Sequence, residues 1–259
     1  MYEKTKNILI ACAIKYKGDW DKIYHAAIDK EVVEPQFLKM AQNIKCNAVT
    51  ILDEDYPQQL KGIFKPPFVL FYYGDISIVK DYHKNISIVG SRDCSSYGAK
   101  MTETISSDLA KRDFVIVSGM AKGIDSIAHN SAIKVGGKTA AVLGTGIDVC
   151  YPIENLELYE KLKKDYVVMS EYPAKVKTPS GTFAIRNRIV AGLSKTLVLT
   201  EAKSMSGSLI TANLAMRSNT DVMCVPDRSL NGSACNRLIY AGASLVESGQ
   251  DVIDQMSLF

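Results

Sequence analysis

The chain has 259 residues, of which 47% are hydrophobic and 23% are charged, as is usual for a soluble globular protein. This length fits one large α/β domain, or a main domain with a small appendage. The formal net charge of +3 is too small to indicate a partner by itself. The apolar run over residues 8–14 is too short for a membrane span, and no small-residue cleavage site follows it. We therefore expect neither a membrane segment nor a signal peptide.

Six cysteines are scattered along the sequence, with no C-x-x-C pair and no histidine at ligand spacing. In a chain of this size the pattern is typical of reduced thiols that pack as small apolar groups. We therefore expect a cytoplasmic protein that has no zinc site. We also expect no cofactor.

Residues 1–46 are predicted to form a small helical accessory region. Apolar residues recur at helical spacing over 8–14 and 20–27, and Pro35 marks the start of a third helix. We expect this region to pack on the main domain or on a partner.

Residues 47–85 have a different character. A strand is predicted over 49–52, and an extended aromatic run over 68–73 follows Pro66–Pro67. We interpret residues 47–85 as an extended lead-in that lies against the main sheet, so that a single domain spans 47–259.

From residue 86 onward, apolar runs of strand length alternate with helical stretches. The strand runs are ISIVG, FVIVS, TAAVLG, YVVMS, TLVLTE and DVMCV, and the predicted helices span residues 97–111, 124–135, 155–164, 209–217 and 236–241. This alternation predicts an α/β fold with an extended Rossmann-like, doubly wound and mostly parallel sheet. All carboxyl ends of such strands lie on one edge, where ligands bind. We expect that edge to carry Ser91–Arg92, Ser118–Gly119, Gly144–Gly146, Ser170–Glu171 and Ser204–Ser208.

The stretch over residues 181–212 combines features that suit a polyanion. Residues 175–203 carry six cations against a single anion, Glu201. We predict a loop that carries Phe183 and, on one side if it is extended, Arg186 and Arg188. A small polar run then precedes a helix, an arrangement that presents backbone N–H groups to an anion. Two arginines beside an aromatic ring suit a nucleic-acid backbone with a base to stack, although Phe183 could equally be a lid of the core.

Enzyme motifs are weak in this sequence. The Gly144–Gly146 turn lacks G-x-G-x-x-G spacing because position 149 is valine, and no P-loop sequence occurs. Asp125 and His129 lie four residues apart on a predicted helix, so the histidine could act as a general base that the aspartate orients. We favour the alternative, in which Asp125 accepts loop N–H bonds and His129 is buried against the sheet.

Arg92 directly follows a predicted strand. Its guanidinium could reach across the sheet edge and bind a phosphate through two hydrogen bonds. It could instead form a structural ion pair with Asp93 or Glu201.

Seven segments, in register across roughly 200 residues, resemble the DNA-processing protein DprA family, also called Smf. They are ISIVGSRDCSSYG, FVIVSGMAKGIDSIAH, TAAVLGTGIDVCYPIEN, VVMSEYP, FAIRNRIVAGLS, TLVLTEAKSMSGSLITA and GASLVESGQDVI. The resemblance implies a Rossmann-like DNA-binding domain over residues 47–259 and a protein that binds single-stranded DNA without catalysis. It also implies a homodimer that protects incoming DNA and loads the RecA recombinase during natural transformation. Such a protein takes part in competence and in DNA recombination.

The family's DNA pocket, transferred position by position, comprises a set of residues at the predicted sheet edge. They are Arg92, Ser118, Gly119, Phe183, Arg186, Asn187, Ser206, Gly207 and Ser208. Charge adds Arg188 to this prediction. The sequence departs from the family at Ala184, where a proline usually follows the phenylalanine, and in the N-terminal region, which lacks a clear helix-hairpin-helix signature.

Two other hypotheses remain open at this point. One is a nucleotide-processing Rossmann enzyme similar to the phosphoribohydrolases, whose P-G-G-x-G-T-x-x-E run ends in a glutamate. The corresponding stretch here ends in Thr211, so the carboxylate is missing. The other is a protein that binds a small nucleotide, which does not explain why Phe183, Arg186 and Arg188 occur together.

Overall fold

The computed structural model describes residues 2–176, 181–203, 207–217, 220–228 and 232–256. The strands within these ranges are β1 (Asn47–Thr50), β2 (Val69–Gly74), β3 (Asn85–Gly90), β4 (Val115–Ser118), β5 (Thr139–Leu143), β6 (Val167–Ser170), β7 (Thr196–Glu201), β8 (Asp221–Cys224) and β9 (Ser244–Leu245). They form one sheet in the order β1-β2-β6-β5-β4-β3-β7-β8-β9. Neighbouring strands from β6 to β9 in this order run parallel, whereas β2 pairs antiparallel with both β1 and β6.

This sheet confirms the predicted doubly wound, mostly parallel fold. Strands β4, β5 and β6 are buried along their whole length, because helices cover both faces of a parallel sheet. The predicted lead-in extends the sheet itself, since β1 and β2 add an antiparallel pair at the β6 edge. Strand β9 at the opposite edge was not predicted.

The helices alternate with the strands. Within the described ranges they are α1 (Tyr2–Lys15), α2 (Trp20–Ile28), α3 (Pro35–Gln42), α4 (Ser96–Ala110), α5 (Ile124–Lys134), α6 (Leu156–Asp165), α7 (Thr182–Gly192), α8 (Gly207–Arg217), α9 (Ala234–Tyr240) and α10 (Gly249–Met256). Short 3-10 helices span Gln58–Gly62, Ile76–Val79, Tyr82–Lys84 and Ile153–Asn155. Helix α10 was not predicted, and the other helices after residue 86 agree with the prediction within two residues, apart from α7.

Successive residues of a strand face opposite cores. Val115 and Val117 of β4 pack with residues of α7, α8 and α9, whereas Ile116 between them packs with residues of α4 and α5. The N-terminal helices α1–α3 form a third cluster with α6, β2, β5 and β6. They therefore share buried surface with the sheet, and the domain boundary at residue 46 stays a prediction.

Helices on both faces create a crevice at the carboxyl edge of the sheet. The chain leaves β3 towards α4, on one face, and leaves the adjacent β7 towards α8, on the other. Ligands of doubly wound folds bind at such a point, where neighbouring connections diverge. Here that point lies just beyond Gly90 and Glu201, the last residues of the two strands, which pair with each other.

The prediction of a loop after residue 181 is wrong, because Phe183, Arg186 and Arg188 lie in helix α7. Side chains two positions apart on a helix point in nearly opposite directions, so Arg186 and Arg188 do not share a side. The helix forms because buried apolar and small residues such as Ile189 and Val190 pack it against the sheet.

Candidate nucleic-acid interface

A cavity of about 500 Å³ lies at the crevice between β3, β4 and β7, with α7 and α8 as its walls. The structure brings most of the predicted site residues together there. Those that line the cavity are Arg92, Gly119, Phe183, Arg186, Asn187, Gly207 and Ser208. A cavity of this size can hold a group as large as a nucleobase or nucleotide, but not a double helix.

Arg186 forms part of the cavity floor. Its side chain is buried, and Nη1 donates hydrogen bonds to the carbonyl oxygens of Gly119 (2.5 Å) and Val142. Nε donates to Oδ1 of Asn187 at 3.1 Å. Burial lowers the pKa of Arg186 to about 10, with Asp125 acting against the shift, so the guanidinium stays charged at neutral pH. Arg186 therefore contributes a fixed positive charge while its donors hold the ends of β4 and β5.

Gly119 permits Arg186 and Asp125 to approach the end of β4. A Cβ atom at Gly119 would lie 2.5 Å from Nη2 of Arg186 and 2.7 Å from Oδ2 of Asp125. The Asp125 carboxylate accepts a hydrogen bond from the backbone N–H of Ala121 at 3.3 Å. Burial raises the pKa of Asp125, and the charge of Arg186 opposes that rise. Only a glycine fits between these two charged groups without displacing one of them.

Arg92, which is exposed, and Phe183, which is half-buried, form a pair at the mouth of the cavity. The Arg92 guanidinium carbon lies 5.5 Å from the centre of the Phe183 ring, within cation–π distance. Gly144 lets the ring approach the end of β5, since a Cβ there would lie 2.7 Å from Cδ1 of Phe183. The ring is half-buried and lines the cavity wall.

Arg92 is not used for a structural ion pair among the described residues. The Glu201 carboxylate, one of the two partners considered from the sequence, accepts hydrogen bonds from the backbone N–H and the hydroxyl of Ser95. Glu201 thereby holds Ser95, whose hydroxyl caps α4 by accepting a hydrogen bond from the Gly98 N–H, and the exposed Arg92 guanidinium stays at the cavity.

The opposite wall is the N-terminus of α8. Gly207 and Ser208 begin this helix, whose first N–H groups have no intrahelical partner and carry a partial positive charge. The Ser208 hydroxyl donates to the Gly90 carbonyl oxygen at 2.6 Å and fixes α8 to β3. Nδ2 of Asn187 donates to the Gly207 carbonyl oxygen at 3.4 Å, and so connects α7 to α8. Ser206, also predicted here, lies outside the described residues.

The model of the family described as DNA recombination-mediator protein A matches residues 47–257. The chain belongs to this family, the DprA family. It is similar to the DNA processing protein DprA of Streptococcus pneumoniae, with 44% identity over 81% of this chain and 74% of that protein. The DprA of Bacillus subtilis is 34% identical over 91% of this chain and 82% of the relative. The resemblance drawn from the seven segments is thereby confirmed.

Solved DprA structures share this fold. The X-ray structure of DprA from S. pneumoniae has a TM-score of 0.77 at 37% identity and covers 96% of this chain and 92% of its own. A DprA structure from Helicobacter pylori has a TM-score of 0.74 at 27% identity, with 83% of this chain and 96% of that chain covered. The H. pylori structure is described as giving insight into the single-stranded DNA binding mode of that protein.

Two predicted site residues of this DprA-family chain, Ser118 and Arg188, do not line the cavity. Ser118 is fully buried, and its hydroxyl donates to the Ile88 carbonyl oxygen at 2.6 Å. Arg188 is buried in an ion pair with Glu171, with 2.6 Å between Nη2 and Oε1, and its Nε donates to the Lys65 carbonyl oxygen. The Glu171 carboxyl has a raised pKa because it is buried, and Arg188 opposes the shift. The geometry thus gives Ser118 and Arg188 structural partners.

His129 is also buried, as we favoured from the sequence. The Thr139 hydroxyl donates its proton to the Ile116 carbonyl oxygen, so Nδ1 of His129 must donate to Oγ1 of Thr139 at 2.6 Å. Nε2 has no hydrogen-bond partner among the described residues, and burial lowers the pKa of His129 to about 3. A neutral ring enclosed in the core is not placed to act as a base in the cavity.

The sequence analysis missed Lys203 as a member of this site. Lys203 is exposed, lines the cavity and follows the end of β7 by two residues, a position that the sheet-edge argument could have identified. With Lys203, the lining has three cations, Arg92 and Arg186 being the others, against the carboxylates of Asp93 and Asp125. The lining therefore has more cationic than acidic side chains, and the two acidic groups reduce its excess of positive charge.

Other chemistry finds little support in the described ranges. No group of three or more histidine, cysteine or acidic side chains there could hold a metal ion. All six cysteines are free thiols. None of the described helices is both long and apolar enough to cross a membrane.

Proposed function

We propose that this chain binds single-stranded DNA in the cavity at the carboxyl edge of its sheet. The observation that carries the proposal is the Arg92–Phe183 pair, which lines the same cavity as the N-terminus of α8. A phosphate fits Arg92, Lys203 and the N-terminus of α8, because each supplies positive charge. A base can stack on the face of Phe183, and because every base has a flat aromatic face, this contact does not depend on the DNA sequence.

The geometry favours a single strand over a duplex. A base can reach Phe183 inside a cavity of about 500 Å³ only when it is unstacked and unpaired. The solved H. pylori DprA, whose description concerns single-stranded DNA binding, supports the same ligand class for a related fold.

In this proposal the wider role follows the family description as a recombination mediator. The chain acts in the cytoplasm as a homodimer that protects incoming DNA and loads the RecA recombinase during natural transformation. Size-exclusion chromatography with light scattering tests the dimer, and RecA-dependent strand exchange with and without the chain tests the loading.

The site supports binding rather than catalysis. Thr211 occupies the position of the glutamate of the phosphoribohydrolases, and its hydroxyl donates to the Gly207 carbonyl oxygen at 3.2 Å. His129 is buried against Thr139, the first residue of β5, and does not line the cavity. Incubation with nucleoside monophosphates is the direct test of this part, and release of free base would contradict it.

A gel-shift titration tests the ligand class. A single-stranded oligonucleotide should bind more tightly than the matching duplex at the same salt concentration. If about four phosphates are engaged, the logarithm of the affinity should fall with the logarithm of salt concentration at a slope of roughly −3. Equal affinity for both forms, or a flat salt response, would contradict the proposal.

A further inference from the structure

A second aromatic ring adjoins the Arg92–Phe183 pair outside the cavity. The ring centres of Tyr151 and Phe183 are 5.3 Å apart, with 47° between their planes. Since Arg92 lies 5.5 Å from the centre of the same Phe183 ring, the three planar groups are in continuous contact. We define the aromatic row as Arg92, Phe183 and Tyr151. Tyr151 is not part of the cavity lining, so the row reaches beyond the cavity.

The Tyr151 end of the aromatic row is exposed. Tyr151 is 52% exposed, and two apolar residues that follow it, Ile153 and Leu156, are 66% and 46% exposed. Isolated apolar residues on a surface are ordinary, whereas three large ones within six residues beside a candidate site are typical of a ligand-contacting surface.

The segment that carries Tyr151 is held in place by polar contacts on both sides. The Thr145 hydroxyl donates to the Val149 carbonyl oxygen at 2.7 Å, and Nδ2 of Asn155 donates to the Met120 carbonyl oxygen at 2.9 Å. An aromatic ring on a segment that is already ordered loses little conformational entropy when a ligand stacks on it.

We propose that Tyr151 is a second stacking platform, which binds the nucleobase next to the one at Phe183 on the same single strand. This inference rests on the proposed function and extends it, because it places the strand's exit from the cavity over Tyr151 towards the start of α6. At Tyr151 we expect contact with a base and not with a phosphate. Glu154 and Glu157 are exposed close by in the sequence and disfavour a phosphate at this end of the row.

This reasoning separates the role of Tyr151 from that of Arg92. Stacking involves no counterion release, so the loss of the Tyr151 ring should weaken binding without changing its salt dependence. Removal of the Arg92 guanidinium, which binds a phosphate in this proposal, should change both.

The test measures binding of the full chain to fluorescent oligothymidine of about 12 nucleotides, and to the same length with abasic sites at alternate positions. Tyr151→Ala should weaken binding to the normal oligonucleotide by about 5- to 10-fold, the lower part of the range for one stacked base, because the ring is half-exposed. Tyr151→Leu should weaken it similarly, since it keeps apolar volume without a flat ring, whereas Tyr151→Phe should bind within about twofold of the unchanged chain. The slope of log affinity against log salt concentration should be the same for the three Tyr151 variants and the unchanged chain.

A matched control removes an exposed ring elsewhere. Phe64 is 72% exposed and lines a separate cavity beside α7, so Phe64→Ala should leave binding unchanged. Loss of affinity by Tyr151→Ala that is equal for the normal and the abasic oligonucleotide would overturn the platform, as would unchanged affinity for both. If Arg92→Ala weakens binding while Tyr151→Ala does not, the platform alone is wrong. If neither variant weakens binding, the proposed function is wrong as well.

Discussion

Replacement of Arg92 by alanine is the most direct perturbation of the proposed interface. Arg92 is exposed at the cavity mouth, where its guanidinium lies over the Phe183 ring, and within the described ranges its side chain has no ion pair that its removal would break. The fold should therefore be retained. A charge-assisted hydrogen bond to a phosphate contributes about 1.5–3 kcal/mol, so the dissociation constant for single-stranded DNA should rise by about 10- to 150-fold.

Fluorescence anisotropy across a series of salt concentrations measures both the affinity and the number of phosphates that are bound. For a single strand, each neutralised phosphate contributes about −0.7 to the slope of log affinity against log salt. Arg92→Ala should make that slope less negative by about this amount for each phosphate that the variant no longer binds. Arg112→Ala is a control with the same change in net charge, because Arg112 is exposed beyond the end of α4 and lies outside the cavity lining.

The comparison between these two variants decides the interpretation. If both arginine replacements lower the affinity equally, the effect belongs to net charge and not to a phosphate site at Arg92. If Arg92→Ala keeps the salt slope of the unchanged chain, no phosphate is bound there. Circular dichroism at matched concentrations checks that both variants keep the same fold.

Two further variants test the interior of the site and of the fold. Gly119→Ala places a Cβ against Arg186 and Asp125, so it should lower the free energy of unfolding by about 1–3 kcal/mol and weaken DNA binding. Gly62→Ala is its control, because a Cβ at Gly62 meets nothing within 4 Å and should change neither quantity. Burial lowers the pKa of His129 to about 3 from 6.5, so the neutral ring stabilises the fold above pH 6.5 and this stabilisation is lost as the pH falls towards 3. Urea unfolding should show about 2 kcal/mol lost between pH 7 and pH 5 from this group, and the pH dependence of His129→Phe should be smaller by about that amount. An identical pH dependence in the variant would contradict a buried neutral His129.

The parallel sheet and the position of its carboxyl edge could be predicted from sequence because each depends on local pattern. Runs such as TAAVLG and TLVLTE are apolar throughout, as strands buried on both faces require, and helical periodicity separates them. Once strands are parallel, their carboxyl ends share an edge, so Arg92 and Gly119 could be placed together without coordinates. Strand β9 and helix α10 were not predicted, and β9 has only two residues, which are too few to show a period.

The partners of buried charges could not be predicted in this way. Arg188 and Glu171 are 17 residues apart, and they meet because α7 packs beside the end of β5, which is the neighbour of β6 in the sheet. A cationic residue in sequence looks the same whether it faces solvent or a buried carboxylate. Ser118 shows the same difficulty, since its hydroxyl is turned to Ile88 on the neighbouring strand instead of to the cavity.

Helix α7 shows why the buried arginines matter to the interface even where they do not face a ligand. A buried cation must be compensated, and breaking a buried pair costs several kcal/mol, so each arginine fixes the helix to its partners. Arg186 binds the carbonyl oxygens at the ends of β4 and β5, and Arg188 binds Glu171 and the lead-in. These two anchors point in different directions from one helix and leave it a single position on the sheet. Phe183, in the first turn of the same helix, is thereby held at the cavity mouth where Arg92 and Tyr151 meet its ring.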